Sequence, residues 1–393
     1  MKKILIIEDD QIVANVYRNK LAVEGYQTEA APDGESGLKL MRTFRPNAIV
    51  LDLMLPKMSG LDVIKEIRGE AEFSKMTIIV LSNTYSTNLI QEAWKAGATK
   101  CVSKINCSPK VLLDMMRSTI GAGEPVSHSQ RKTENPAAAK SVVSGSEADT
   151  ASQAEVRTTF VAGLPATLNA LRATVQSLIK SDNEEVRLKH IQELYGRIHV
   201  VNSNASLAGL IPIAHMAAAL EALLQELHEK PKSINASTLR TVAITVDFFN
   251  FLFERAAQPE KWDLSPARIL VVDDEAISCR AIVYALEKAQ LQSASVEDSN
   301  AAFKLLSENN YDLVFLDVDM PGMTGYELCI KLRGLPAHKK TPVVFVTRLD
   351  DFNNRTSSMM SGGNDFIAKP FLHIELAVKA LIHVLRGKLQ SAK

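Results

Sequence analysis

The sequence predicts two α/β domains of the doubly wound (βα)5 class flanking an all-α four-helix bundle. Three observations carry this. Two segments resemble each other at a constant offset: "ILIIEDD" at 4–10 matches "ILVVDDE" at 269–275, and "IVLDLMLPKMSG" at 49–60 matches "VFLDVDMPGMTG" at 314–325. The differences 273−8, 317−52, 347−82 and 369−104 all equal 265, a register that a duplication without net insertion explains and chance does not. Within each copy, short β-branched runs alternate with amphipathic stretches, the pattern of a parallel sheet covered on both faces. Between the copies, apolar residues recur at three- and four-residue spacing instead.

The first domain is expected at 1–121, with strands near 3–8, 27–31, 47–52, 77–82 and 99–103. Helices fill the gaps; at 86–96, Leu89, Ala93 and Ala96 share one face. Residues 122–154 are rich in Gly, Ser, Ala, Pro and charge and read as a flexible linker. A coil of that length spans roughly 30–35 Å and holds its ends at about millimolar effective concentration. The bundle is expected at 155–257, with helices at 155–180, 183–208, 212–229 and 235–257 and Pro212 in a first turn. A short link, 258–266, leads to the second α/β domain at 267–390, its final helix at 372–388. The brevity of that link suggests docking of bundle and second domain as one unit, with Trp262 as a contact.

Composition narrows the function classes. Lys plus Arg equals Asp plus Glu at 45 each, so no overall field draws the chain to nucleic acid or an anionic membrane. The opening "MKKILIIEDD" has a five-residue apolar run closed by acids, too short for a signal peptide. No apolar run approaches the roughly 18 residues of a membrane span. Four cysteines form no CxxC pair or ligand cluster and read as reduced cytoplasmic thiols.

In doubly wound sheets the site lies beyond the carboxyl ends of the strands. Glu8, Asp9, Asp52, Ser82 and Lys104 all stand at predicted strand ends, as do Asp273, Asp274, Asp317, Thr347 and Lys369 in the second copy. Clustered carboxylates repel one another unless a cation intervenes. Oxygen ligands in a small open site suit Mg²⁺. One carboxylate can then attack a phosphoryl donor, with a metal, an ammonium and a hydroxyl on the peripheral oxygens.

On these residues both copies resemble the receiver domains of two-component response regulators, a CheY-like, flavodoxin-like fold. The resemblance implies that Asp52 and Asp317 accept the phosphoryl group. It implies one Mg²⁺ per domain, held by Asp9 and Asp274, through water by Glu8 and Asp273, and by the acceptor and the backbone carbonyls of Met54 and Asp319. Ser82 and Thr347 become the switch hydroxyls, and Lys104 and Lys369 the lysines. An aromatic usually stands three residues before the lysine and swings inward on phosphorylation. Phe366 fits, while the first copy has Cys101 there. The first copy also departs at Ile105, where Pro370 follows the second lysine, and Asn83 and Arg348 replace the usual small residue. A degenerate receiver that keeps only the fold is the alternative for either copy. "DVD" at 317–319 resembles the two-aspartate motif of haloacid-dehalogenase-type phosphatases, but its place in the fold differs.

Within 183–208, Ile191, Leu194, Ile198, Val201, Ala205 and Ala208 form the core stripe. His199 lies about 100° from Ile198, on a face with Gln192, Tyr195, Gly196, Asn202, Ser203 and Ser206 that is expected to be exposed. The bundle resembles a histidine phosphotransfer (HPt) domain: His199, Gly209 and Leu220–Glu221 fit its signature, whereas Asn202 and Ser203 replace the usual lysine and glycine. The expected function is a phosphorelay through Asp52 or Asp317 and His199, not a turnover enzyme. The alternative is an interaction scaffold whose bundle docks partners without being phosphorylated. The implied partners are a sensor histidine kinase or phosphotransfer protein and a downstream signalling protein; homodimerisation through the receivers stays open. No DNA-binding output domain is recognisable, and the expected location is the cytoplasm.

Overall fold

The structure, a computed structural model, describes residues 1–82, 87–104, 107–121, 147–263, 265–347 and 361–391. Asn83, Ile105, Arg348 and linker residues 122–146 lie outside the described residues. The chain divides into two units, Met1–Gly163 with Val200–Ala214, and Leu164–His199 with His215–Lys393.

The first unit contains strands β1 (Lys3–Ile7), β2 (Gln27–Ala31), β3 (Ala48–Asp52), β4 (Thr77–Ser82) and β5 (Lys100–Ser103). All pair in parallel, in the order β2-β1-β3-β4-β5. Helices α1 (Gln11–Val23), α2 (Gly34–Phe44), α3 (Gly60–Gly69), α4 (Thr87–Ala96) and α5 (Pro109–Ile120) connect and flank them. The two-residue period of the strands splits the core in two. Ile4, Ile6, Val50 and Ile79 pack with Val13, Tyr17, Leu112 and Met116 on one face; Leu5, Ile7, Ile49 and Ile78 pack with Leu38, Met41, Ile64 and Ile67 on the other. Each such side chain contributes about 1.5–3 kcal/mol of burial, which explains why the strands read as unbroken apolar runs.

The second unit repeats this plan. Strands β6 (Ile269–Val272), β7 (Ser293–Val296), β8 (Leu313–Asp317), β9 (Val343–Thr347) and β10 (Asp365–Ala368) form a parallel sheet in the order β7-β6-β8-β9-β10. The described helices of this copy are α10 (Ala276–Lys288), α11 (Ser299–Glu308), α12 (Gly325–Gly334) and α13 (His373–Ser391); numbers α6 to α9 belong to the middle of the chain. The offset of 265 extends to contacts the sequence did not advertise. Arg68 donates to the carbonyls of Gly97 and Met76; Arg333 donates to those of Gly362 and Thr341. Asp33 and Asp298 cap α2 and α11, and Ser59 and Thr324 cap α3 and α12. The two copies therefore share backbone fastenings as well as strands.

The middle of the chain is helical: α6 (Glu147–Lys180), α7 (Glu184–Leu207), α8 (Ile211–Glu229) and α9 (Ala236–Phe253). Helix α6 begins eight residues before the expected 155, because 147–154 continues it without a breaking residue, while α9 ends at Phe253 rather than 257. Pro212 sits in the first turn of α8, where a missing N–H costs nothing. Within the second unit, Leu164, Leu168, Leu171, Val175 and Leu178 form the buried stripe of α6, and Arg172 pairs with Asp247 of α9 at 3.2 Å.

His215 of α8 hydrogen-bonds the backbone of Ala289, yet burial outweighs that bond and holds its pKa down to about 4. The folded state thus favours the neutral ring. Stability from this group is complete above the unfolded pKa near 6.5 and falls as pH drops toward 4, by up to about 3 kcal/mol. Urea melts of wild type and His215→Gln across pH 7 to 4 should converge or cross as the pH falls. A difference that stays constant over that range overturns the assignment.

Candidate functional site

Where the order of each sheet reverses, the loops after its first and third strands diverge and leave a crevice. In the first sheet Glu8 and Asp9 follow β1, Asp52 ends β3, Ser82 ends β4 and Lys104 follows β5. Carboxylate oxygens of Glu8, Asp9 and Asp52 lie within 4.8 Å of one another. Lys104 Nζ reaches Asp52 Oδ2 at 2.6 Å and Glu8 Oε1 at 3.1 Å. Glu8 and Asp52 are 1% exposed, Lys104 6% and Ser82 2%. Burial alone would lower the lysine's pKa, but Asp52 and Glu8 outweigh it and raise it, so the ammonium is fixed as charged. The Met54 amide donates to Asp52 Oδ1 at 3.1 Å, which orients the carboxylate.

The second sheet brings together the corresponding set. Lys369 Nζ lies 2.7 Å from Asp273 Oδ2 and 3.0 Å from Asp317 Oδ1, and the carboxylates of Asp273, Asp274 and Asp317 cluster as in the first site. Thr347 ends β9 and is buried; Asp319 is exposed. The pKa of Asp317 is raised by burial foremost, with Asp273 and Asp274 adding to it against the pull of Lys369. Sequence reading missed Ser278, whose hydroxyl donates to Asp273 Oδ2 beside Lys369. Its counterpart at the 265 offset is Val13, and the first copy carries the longer Glu8 instead of Asp273. Only that paired difference between copies signalled it.

Phe366, on β10 three residues before Lys369, is half-buried against the second core. Cys101 is half-buried against the first, and burial pushes its thiol up to about 11, so it stays a neutral thiol.

In each site one ammonium faces three carboxylates. The surplus negative charge and the all-oxygen donor set fit a hard divalent cation such as Mg²⁺.

The expected exposed strip around His199 is not what the structure shows. His199, Asn202 and Ser203 are all buried. His199 Nδ1 lies 2.9 Å from Glu221 Oε1 of α8, Tyr195 Oη donates to the same carboxylate oxygen at 3.2 Å, and the Tyr195 and His199 rings stack. Helical spacing placed His199 off its own helix's core stripe correctly; it carried no information about the carboxylate arriving from the next helix.

A family description, response regulator receiver domain, matches residues 4–117 and 269–381. These segments make up more than half of the chain, and the chain belongs to that family. Receiver domains are phosphoryl-accepting modules of two-component signal transduction, and they interact with histidine kinases or phosphotransfer partners. Among curated relatives, the transcriptional regulatory protein SrrA of Staphylococcus aureus is 36% identical over 116 residues, which is 29% of this chain and 47% of SrrA. The chain thus spans about half the length of the curated relatives it matches. Among solved structures, chemotaxis protein CheY4 of Vibrio cholerae is 26% identical over 31% of this chain and all of its own, with a TM-score of 0.29. A signal receiver domain of a histidine kinase from Syntrophus aciditrophicus is 36% identical over 30% of this chain and 89% of its own, with a TM-score of 0.28. Among the described residues no helix is long and apolar enough to cross a membrane.

Proposed function

We propose that this chain is a phosphorelay protein in which Asp52 and Asp317 accept phosphoryl groups and His199 carries them onward. The observation that supports acceptance is the convergence, twice at one offset, of an acid trio, a buried hydroxyl and a lysine on the crevice side of the sheet. The acceptor oxygen attacks the phosphorus of a donor such as acetyl phosphate. The phosphorus–oxygen bond to the donor breaks, acetate leaves with the electron pair, and an aspartyl phosphate remains; no proton is needed. Lys104 and Lys369 bind a phosphoryl oxygen, and the Ser82 and Thr347 hydroxyls donate to another. Glu8, Asp9 and Asp52 with the Met54 carbonyl, and Asp273, Asp274 and Asp317 with the Asp319 carbonyl, would hold Mg²⁺. Bound there, Mg²⁺ supplies positive charge opposite the transferring oxygens.

For His199 the support is its bond to Glu221. Nδ1–H donating to that carboxylate leaves the lone pair on Nε2, the nitrogen that would attack an aspartyl phosphate, and steadies the positive charge that develops on the ring. In this reading α6 to α9 form an HPt-like four-helix bundle. Burial of His199 and the replacement of lysine by Asn202 favour the second reading, a docking bundle that is not phosphorylated.

The test is intact-protein mass after incubation with Mg²⁺ and acetyl phosphate or a phosphorylated histidine partner. Wild type should gain one phosphoryl unit per receiver, and Asp52→Ala and Asp317→Ala should each lose one. Acid-labile, alkali-stable phosphate that vanishes in His199→Gln establishes the relay. Transfer unaltered by His199→Gln reduces the middle of the chain to a docking element.

A further inference from the structure

The two acid clusters are not held alike. In the second, Asp273 follows β6, is fully buried, and takes a donor from the start of α10 on each carboxylate oxygen. Oδ1 accepts from the Glu275 amide at 3.0 Å. Oδ2 accepts from the Ser278 hydroxyl, in the first turn of the helix, and from Lys369 Nζ at 2.7 Å. The next residue, Cys279, donates its thiol to the Asp273 backbone carbonyl at 3.3 Å. Two neighbouring side chains of α10, both buried, therefore fasten this one acid, one at its carboxylate and one at its backbone.

The 265 offset puts Val13 and Ala14 at these positions in the first copy, where both belong to the apolar core. Neither side chain has a hydrogen to donate. The acid there is Glu8, one methylene longer than Asp273. The lysines also lean in opposite directions. Lys104 lies closer to Asp52, at 2.6 Å, than to Glu8, at 3.1 Å. Lys369 lies closer to Asp273, at 2.7 Å, than to Asp317, at 3.0 Å. A long acid thus goes with valine and a short acid with serine.

A cation held by Asp273, Asp274 and Asp317 needs all three carboxylates aimed at one point. A short buried acid beside an ammonium turns toward it, and an acid paired with the lysine is withdrawn from a metal. Here the Ser278 hydroxyl shares Oδ2 with Lys369 while the Glu275 amide anchors Oδ1, so α10 sets the plane of the carboxylate against the pull of the lysine. Asp273 is 0% exposed, so water does not take the place of a deleted hydroxyl.

We propose that Ser278 is a positioning residue for the divalent cation of the second receiver, and that its hydroxyl holds Asp273 where a metal needs it, a task that the greater reach of Glu8 performs in the first. The proposal rests on the reading of the acid trios as Mg²⁺ sites. It makes serine with aspartate and valine with glutamate two solutions to one problem, so the members of each pair are interchangeable only together.

The test is calorimetric titration of the full chain with Mg²⁺ alone, every variant carrying Asp9→Asn so that the second site is read by itself. Ser278→Ala and Ser278→Val should each weaken binding by about tenfold, the lower end of what outer-shell partners of metal ligands contribute. Ser278→Thr, which keeps the hydroxyl, should retain the affinity. Asp273→Glu combined with Ser278→Val, the pair that the first copy carries, should recover most of what Ser278→Val loses. Urea melts without metal identify any variant that fails to fold, and Ser278→Ala, the smaller change, then carries the comparison. Undiminished affinity in Ser278→Ala overturns the proposal while sparing the cation site. A loss that the paired substitution does not recover, or that Ser278→Thr shares, also overturns it, because the residue then acts by packing. Absence of Mg²⁺ binding with Ser278 intact overturns the cation reading, and the proposal with it.

Discussion

Gly60→Ala and Gly325→Ala should each unfold or severely weaken the domain that carries them and cut phosphoryl acceptance there by about 100-fold or more. Each glycine opens the helix after the acceptor strand, behind the caps Ser59 and Thr324. Its amide donates back to the loop, Gly60 to the Leu53 carbonyl at 2.9 Å and Gly325 to the Val318 carbonyl at 3.0 Å. A Cβ on Gly60 would stand 2.1 Å from the carbonyl oxygen of Asp52, and one on Gly325 would stand 2.0 Å from that of Asp317. Relaxed non-bonded contacts of carbon lie near 3.5–4 Å. The obstructing atom is backbone, which cannot rotate aside, so the cost belongs at the top of the overpacking range, about 3 kcal/mol or more. Relief by movement displaces Asp52 or Asp317, the proposed acceptor, and a shift of about 1 Å in a reacting group is worth about 100-fold in rate. Gly69→Ala and Gly334→Ala are matched controls, because a Cβ at either meets nothing within 4 Å. Urea melts and a time course of phosphoryl uptake read both effects. Equal stability and uptake in the Gly60 and Gly69 variants would refute the argument.

Much of this site could be read from the chain because its geometry is nearly one-dimensional. A polar residue directly after an apolar run in a parallel sheet has one place to go, the rim, so Glu8, Asp52 and Lys104 were assignable without coordinates. The same logic placed β1 and β3 within a residue of their observed ends. Contacts between distant helices are different. The Glu221 partner of His199 lies 22 positions on, and periodicity describes a helix's own faces, not what meets them. The last helix of the second copy is a like case: Lys110, Asp114 and Arg117 of α5 give way to Glu375, Lys379 and Ile382 in α13, but the hydroxyls that meet Glu375 come from α9.

Lys104→Met should lower the stability of the first receiver by about 3–5 kcal/mol near pH 8 without divalent cations, the usual cost of removing one partner from a buried ion pair. The substitution keeps an unbranched chain of similar length, so little of the loss is packing. What remains is Glu8 and Asp52, each 1% exposed, with no ammonium between them. Two routes can relieve that charge. One carboxyl can take a proton, which a neighbouring carboxylate favours, so the deficit should shrink as the pH is lowered. Alternatively a divalent cation can enter the acid trio, so millimolar Mg²⁺ should recover part of the loss and should stabilise the variant more than the wild type. A deficit indifferent to both pH and Mg²⁺ would mean that Lys104 acts through packing alone. Lys369→Met is the graded comparison. Its side chain is 11% exposed against 6% for Lys104, and water screens more of that site, so the same signs should appear at smaller size. In the proposed chemistry the lysine's charge meets a transferring oxygen and no solvent molecule replaces it at fixed position, so phosphoryl uptake should fall in both variants by about 100-fold.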